Sequence, residues 1–374
     1  MDFSRNEEQQ AIAELAAKVL ADQVTIERLR ELEREPDGLV FDRALWSVLS
    51  DAGLLGVSVP EEHGGLGLGL VELCLLLEEV GRTVAPVPVL ASLAYGGLAV
   101  AHFGTDAQRA ELLPGVADGS VVLTAALVEA LGDPHRPTTT AARQGDGWAL
   151  EGDKSCVPAG LVADRVVVSA STATGEAGLF LVDPSDPSVV RQRQDTITWI
   201  PEAAMTFAAT PAEPLGPLDA DGSSVRWLIE HVNVATSAVM IGVAEAALRL
   251  TAEYTKTREQ FDRPIATFQA VGQRAANAFI DTEAIRLTTL KAAWYLASGR
   301  PASKEVAVAK YFASDAGQRV VRAAQHLHGG IGVDRDYPLH RYYVWAKQLE
   351  LTLGGGSRHL RELGKLLADE SVDA

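Results

Sequence analysis

Two short stretches of this chain carry residue types able to hold an anionic ligand. The first runs Tyr254-Thr-Lys-Thr-Arg258-Glu-Gln-Phe261-Asp-Arg-Pro264-Ile-Ala-Thr-Phe268-Gln269. Arg258 ends one helical segment, Phe261 follows three residues later, and Gln269 opens the next helix. A guanidinium so placed can grip a diphosphate through two parallel N–H bonds, and a glutamine at a helix start can reach the same anion. Taken alone, the stretch reads as well as a surface arginine, a core phenylalanine and a capping loop, because short motifs carry little weight by themselves. The second stretch is His326-Leu-His328-Gly329-Gly330-Ile-Gly332, followed by Tyr337-Pro338. Consecutive glycines after a helix let a ligand approach exposed backbone N–H groups, although a helix C-cap and turn uses the same pair.

The elements that must position these residues follow from hydrophobic period. Residues 1–120 read as helices: Ile12, Leu15, Ala16, Val19 and Leu20 share one face of 7–24, 46–55 repeats the pattern and breaks at Gly56, and 70–80 ends at Gly81. A turn-rich connector, 60–67, lies between the last two. Residues 121–218 carry short β-type runs at 121–124, 148–150, 165–169 and 178–182, punctuated by Gly, Pro, Asp and Ser, which predicts a small antiparallel, barrel-like domain. Helical period returns over 219–374, with long segments at 224–257, 267–298 and 303–327 and a further helix after Pro338. Long helices in succession on short loops predict a bundle. The order is α, then β, then α.

Composition restricts the ligand and the compartment. The net charge of −17 repels phosphodiester backbones, so nucleic acid is not expected as a partner. Any anionic ligand needs cations gathered locally. Cys74 and Cys156 form no disulfide framework or thiolate cluster, which fits a reducing compartment. The acidic start Met1-Asp2-Phe3-Ser4-Arg5-Asn6 has no apolar signal core. No stretch is expected to supply the ~20 apolar residues of a membrane span. The expectation is a soluble, cytoplasmic protein with no membrane partner.

In combination the motifs acquire meaning. Ala52-Gly-Leu-Leu-Gly-Val-Ser-Val-Pro60-Glu-Glu-His-Gly64-Gly65-Leu-Gly67, Leu77-Glu78-Glu79-Val80-Gly81-Arg82 and the two stretches above occur in an order and spacing that resemble the acyl-CoA dehydrogenases along nearly the whole chain. The resemblance implies an N-terminal α-helical domain, a middle antiparallel β-domain and a C-terminal four-helix bundle. It also implies FAD as cofactor, an acyl-CoA thioester as substrate and an electron-transferring flavoprotein as acceptor. By position, Arg258, Phe261 and Gln269 resemble residues that hold the FAD of a neighbouring subunit. The segment containing His326, Gly329 and Gly330 resembles the loop receiving that cofactor's ADP portion, with His326 where the family has a glutamine and Gln325 shifted one place.

The family reaction needs a carboxylate at the substrate α-carbon, tuned by burial to the working pH. The family's usual glutamate position corresponds here to Gly354, in Leu353-Gly-Gly-Gly-Ser-Arg358. Two other positions used by relatives correspond to Val232, which precedes Asn233, and to Val239. None is acidic, so no catalytic base is assigned. Glu230 is the fallback, and both it and Glu245 read as solvated helix-face charges. In the β region, Cys156-Val157-Pro158 stands where the family has a flavin-facing Trp-Ile-Thr, and 127–133 is a reduced form of the family's Thr-Glu-Pro-Gly-Ala-Gly-Ser-Asp. These losses fall on the ring half-site and spare the FAD-tail half-site. The pattern resembles the base-less subunits of actinobacterial α2β2 steroid side-chain acyl-CoA dehydrogenases, which implies a catalytic partner subunit. A self-sufficient homotetramer with a relocated base and a non-catalytic acyl-CoA-binding scaffold are the alternatives.

Overall fold

A capping box starts the first helix: Gln9 donates its backbone N–H to the Asn6 side chain at 2.8 Å, and Asn6 N–H donates to the Gln9 side chain at 3.1 Å. The computed structural model describes residues 3–34 and 40–372, so Met1 and Asp2 of the acidic start lie outside the described residues. The N-terminal helices are α1 (Glu7–Gln23), α2 (Ile26–Leu32), α3 (Arg43–Asp51), α4 (Leu70–Thr83), α5 (Leu98–Phe103) and α6 (Asp106–Ala117), with a π-helical segment, Leu90–Gly97, leading into α5. The strands are β1 (Leu123–Ala126), β2 (Thr140–Gln144), β3 (Gly147–Pro158), β4 (Arg165–Thr172), β5 (Ala177–Val182), β6 (Val189–Gln194) and β7 (Glu202–Asp219). Then come α7 (Ser223–Thr257), a hairpin of β8 (Glu259–Gln260) and β9 (Arg263–Pro264), and α8 (Gln269–Ala297), α9 (Ser303–His328), α10 (Leu339–Leu351) and α11 (Gly356–Val372).

The α, β, α order and fold class expected from period are present. The described chain divides into two compact units that do not follow chain order. One comprises residues 1–26, 74–85 and 233–374, so α1 and most of α4 belong with the C-terminal helices; the other comprises 27–73 and 86–232.

In the second unit the strands close on themselves. β4, β2, β3, β7 and β5 pair in a ring that returns to β4, while β1 adds to β4 and β6 to β7. Closure leaves the five ring strands without a free edge. Its interior is filled by Leu150, Val157, Val166, Val168, Phe180, Met205 and Phe207, all fully or almost fully buried. The pairings are mostly antiparallel as expected, but β1 and β2 each run parallel to β4.

Helix α4 corrects a boundary. Gly81 was expected to end it, yet the helix runs on to Thr83. A Cβ on Gly81 would run into the Val239 carbonyl oxygen of α7, and one on Gly242 of α7 into the Glu78 carbonyl oxygen. These glycines permit two helix backbones to approach closely, and neither acts as a cap. Helix α7 corrects a second expectation. It is long and apolar enough by length and composition to cross a membrane, but 78% of its apolar window is buried inside the protein. A core helix meets the same compositional test.

Candidate cofactor site

The α7–α8 connection is a tight hairpin that presents side chains outward. β8 and β9 pair in register, Glu259 with Pro264 and Gln260 with Arg263. The two residues between them, Phe261 and Asp262, have φ of 54° and 61°, as a type I′ turn requires. Asn or Gly is the usual occupant, and a phenylalanine there is strained. The residue is 87% exposed, and its ring sits edge-on to Phe268, with centroids 6.2 Å apart. Ile265 N–H donates to the Arg258 carbonyl at 2.8 Å and closes the loop. The Arg263 guanidinium lies over the Phe268 ring at 4.2 Å. Arg258 is exposed, and among the described residues it has no ion-pair partner. Gln269 is the exposed first residue of α8, and the N-cap, Phe268, has no side-chain cap bond. The helix start therefore keeps its first N–H groups available to an acceptor.

The second motif lies where α9 ends. Gly329 caps the helix with φ 66° and ψ −139° and donates its N–H to the Gln325 and His326 carbonyls. That backbone conformation is open only to glycine. A Cβ placed on Gly329 or Gly330 would meet nothing within 4 Å, so the backbone here faces open space. His326 is exposed on the last turn, whereas His328 is buried. The His328 ring stacks on Tyr254 of α7 at 4.4 Å and 21°. Its Nδ1 lies 2.8 Å from the Ala324 carbonyl, an acceptor only, so Nδ1 carries the proton and Nε2 accepts from the Tyr337 hydroxyl at 3.1 Å. This stack links two motifs far apart in sequence: Tyr254 stands one turn before Arg258, and His328 directly precedes the glycines. Exposed cationic, aromatic and amide groups beside an open diglycine turn suit the diphosphate and adenine end of a dinucleotide. Tyr254, His328 and Tyr337 belong to the motifs read from sequence but had no role of their own there, although Tyr254 one turn before Arg258 and His328 beside the glycines were usable signals.

The positions that correspond to the family's catalytic carboxylate are closed. Val232 and Val239 are buried in α7, and the Val239 backbone packs on α4 at Gly81. Gly354 has φ 103°, and a Cβ on it would run into the Arg358 side chain. Glu230 is half-buried. Glu245 is not the solvated charge expected, because it belongs to a partly buried ion cluster. Arg82 binds Glu245 at 2.7 Å, Glu78 at 2.7 Å and Glu79 at 2.8 Å. Arg286 reaches Glu78 at 2.7 Å and Glu245 at 2.5 Å. Burial alone would raise the Glu245 pKa, but the two guanidiniums outweigh it and hold the carboxyl below its usual range. A carboxylate clamped this way is not poised to take up a proton. The Glu78-Glu79-x-x-Arg82 signature thus has a structural reason, since it supplies three corners of the cluster.

The middle domain carries a buried polar knot. Glu129 accepts from Thr138 N–H and hydroxyl at 2.7 and 2.6 Å, from Thr139 N–H and hydroxyl at 2.8 Å each, and from Lys154 Nζ at 2.7 Å. Lys154 also reaches Ser169 Oγ at 3.0 Å. Burial pushes the Lys154 pKa down to about 8, only partly offset by Glu129. Burial would raise Glu129, yet Lys154 and the threonines bring it down to about 2. The stretch 127–133 is therefore tied by its own carboxylate to the two residues that lead into β2 and to β3. A few residues on, Cys156 adopts φ 52° within an irregularity of the β3–β7 register, and Pro158, with no donor, accepts from Thr124 Oγ1 at 2.5 Å.

Comparison with known proteins agrees with this geometry. The family model for the acyl-CoA dehydrogenase N-terminal domain matches residues 6–120, and that for the C-terminal domain matches 223–367. Acyl-CoA dehydrogenase FadE27 of Mycobacterium tuberculosis is 38% identical, covering 99% of this chain and 99% of that protein. Among solved structures, a variant of the Tcur3481–Tcur3483 steroid ACAD is 45% identical with TM-score 0.93, covering 98% of this chain and 99% of the other. The ChsE4–ChsE5 complex from Mycobacterium tuberculosis is 38% identical with TM-score 0.92 and the same coverage. Full-length identity together with domain matches at both ends means that this chain belongs to the acyl-CoA dehydrogenase family, oxidoreductases acting on CH–CH bonds with FAD as cofactor.

Proposed function

We propose that this chain is the base-free subunit of a heteromeric acyl-CoA dehydrogenase, an α2β2 assembly in the cytoplasm that desaturates the α,β-bond of a CoA thioester with a bulky, steroid-type acyl group. The observation that carries the proposal is a contrast between two sets of residues. All three positions for the base hold apolar residues or glycine, with Gly354 in a backbone conformation that disfavours any side chain, while Arg258, Phe261 and Gln269 stand exposed on one connection.

In this role Arg258 binds the diphosphate of FAD, Phe261 and Gln269 contact its adenosine end, and His326, Gly329 and Gly330 line the same tail. When bound, FAD would supply a hydride acceptor for the β-carbon, with the α-proton going to a carboxylate of the partner subunit and the electrons to an electron-transferring flavoprotein. The chain's own β-domain does not fit the flavin ring: Pro158 offers no hydroxyl, and the Glu129 knot occupies the corresponding loop.

Surface character supports a partner of the same fold. Most residues in the first half of α8 are exposed, and Phe279, Ile280 and Leu287 are 57%, 63% and 49% exposed. A helix open on most sides with apolar residues outward is suited to docking. The relatives described as a steroid ACAD and as a ChsE4–ChsE5 complex support a steroid-type substrate and a two-component assembly.

The test compares the chain purified alone with the chain co-expressed with candidate partner subunits. Alone it should lack stoichiometric flavin absorbance and leave acyl-CoA unoxidised; one partner should restore both. Stoichiometric FAD and dye reduction by the lone chain would overturn the proposal.

A further inference from the structure

Resting on the FAD-tail assignment above, we infer that Tyr254, His328 and Tyr337 form an aromatic clip that sets Arg258 in register with the Gly329–Gly330 turn, so that both halves of the tail site grip one ligand. None of the three needs to touch the cofactor; they are positioning residues.

Arg258 and the glycines follow the ends of two different helices, α7 and α9, and all are exposed. Arg258 follows Tyr254 by one helical turn, its N–H donating to the Tyr254 carbonyl at 2.8 Å. Gly329 follows His328 directly. The Tyr254–His328 stack, at 4.4 Å and 21°, therefore joins the helical turn before Arg258 to the residue before Gly329. Tyr337 braces it from the third side, with its ring centroid 5.2 Å from that of His328 and 6.4 Å from that of Tyr254. Two hydrogen bonds fix the imidazole plane, one to the Ala324 carbonyl of its own helix and one from the Tyr337 hydroxyl. The ring can neither rotate nor exchange tautomers without losing one of them. Burial holds the His328 pKa below its ordinary value, partly offset by the bond to Ala324. The neutral form that this hydrogen-bond pattern needs is thus the form present at neutral pH.

The experiment titrates FAD into the apo-complex of this chain with its catalytic partner, follows flavin fluorescence, and uses ADP as competitor. Tyr254→Leu should weaken FAD about tenfold, the upper worth of one aromatic pair, and weaken ADP competition by the same factor because the loss lies in the tail site. Tyr254→Phe, which keeps the ring face, should restore both. Tyr337→Phe removes one hydroxyl and should cost about fivefold; this variant still decides the matter if Tyr254→Leu fails to assemble. Wild-type FAD affinity in Tyr254→Leu or in Tyr337→Phe overturns the clip, as does a loss of FAD affinity with ADP competition unchanged. Arg258→Ala separates the two layers. If it too leaves FAD and ADP binding intact, the tail-site assignment itself fails; if it weakens both while Tyr254→Leu does not, only the clip fails.

Discussion

The two partners of the β-domain knot should be very unequal when removed one at a time. Glu129→Ala takes the acceptor from five donors, of which two are backbone N–H groups, two are hydroxyls and one is the Lys154 ammonium. The ammonium then keeps only Ser169 Oγ at 3.0 Å. Orphaned buried donors cost about 1 kcal/mol or more each, and breaking a buried ion pair costs about 3–5 kcal/mol; because these overlap, the expected loss is about 4 kcal/mol. Lys154→Met keeps most of the stem's volume and leaves Glu129 with four short bonds from Thr138 and Thr139, so its expected cost is about 1–2 kcal/mol. In the intact pair, holding Lys154 at about 8 against an ordinary 10.5 opposes folding at pH 7, and holding Glu129 at about 2 against 4.5 favours it. At about 1.4 kcal/mol per unit the two nearly offset, so the pair sets the loop's conformation while adding little net stability. Apparent melting temperature at pH 7, with amide exchange at Thr138 and Thr139, reads the difference. At about 2–4 °C per kcal/mol for a domain of this class, Glu129→Ala should lose about 8–16 °C and Lys154→Met about half as much or less. Equal losses, or Lys154→Met the more damaging, would refute this account. The Glu129 contribution is present above pH 4.5 and disappears as pH falls through about 2, so the deficit of Glu129→Gln should shrink across that window.

Three further predictions concern the other sites. Phe261→Gly relieves a positive-φ phenylalanine and should stabilise the chain by about 1 kcal/mol, while the complex retains less FAD; unfolding midpoints and flavin-to-protein absorbance ratios check the two effects. Gly354→Glu should leave the lone chain inactive and cost about 1–3 kcal/mol, because φ 103° and the Arg358 side chain oppose any Cβ; acyl-CoA-dependent dye reduction by this variant would contradict it. Lys310 is fully buried, its Nζ donating to the Leu349 carbonyl at 2.6 Å, and burial pushes its pKa down to about 7. The unfolded chain binds this proton more tightly than the folded one, so stability should rise between pH 7 and 9, and Lys310→Met should flatten that rise in melting temperatures taken across the range.

Much of the fold is visible in apolar spacing, and the failures have identifiable causes. Period located α1, α7, α8 and α9 to within a few residues, because each is a long helical run bounded by breakers. It missed most of β7, where Pro211, Pro214 and Pro217 read as breakers; in the structure Pro211 pairs with Ala149 of β3 and Pro214 with Phe180 of β5. It took Gly81 for a stop because a lone sequence cannot distinguish a capping glycine from one on which another helix rests. At the candidate site, Arg258, Phe261 and Gln269 could be singled out because they sit on one short connection. The Tyr254–His328 contact was not, because it joins helices through a packing angle that residue spacing does not encode.

By itself, the sequence determined the family, the alternation of helical and β regions and the lack of a carboxylate at the expected base positions, all of which depend on residue type and local spacing. Only tertiary structure decided that Glu245 is clamped between two arginines, that Glu129 ties down the loop beside β2, and that one imidazole links two distant motifs. Each of these rests on burial and on which groups approach within about 3–4 Å, the range over which hydrogen bonds and low-dielectric electrostatics act. That proximity comes from how the helices and strands pack.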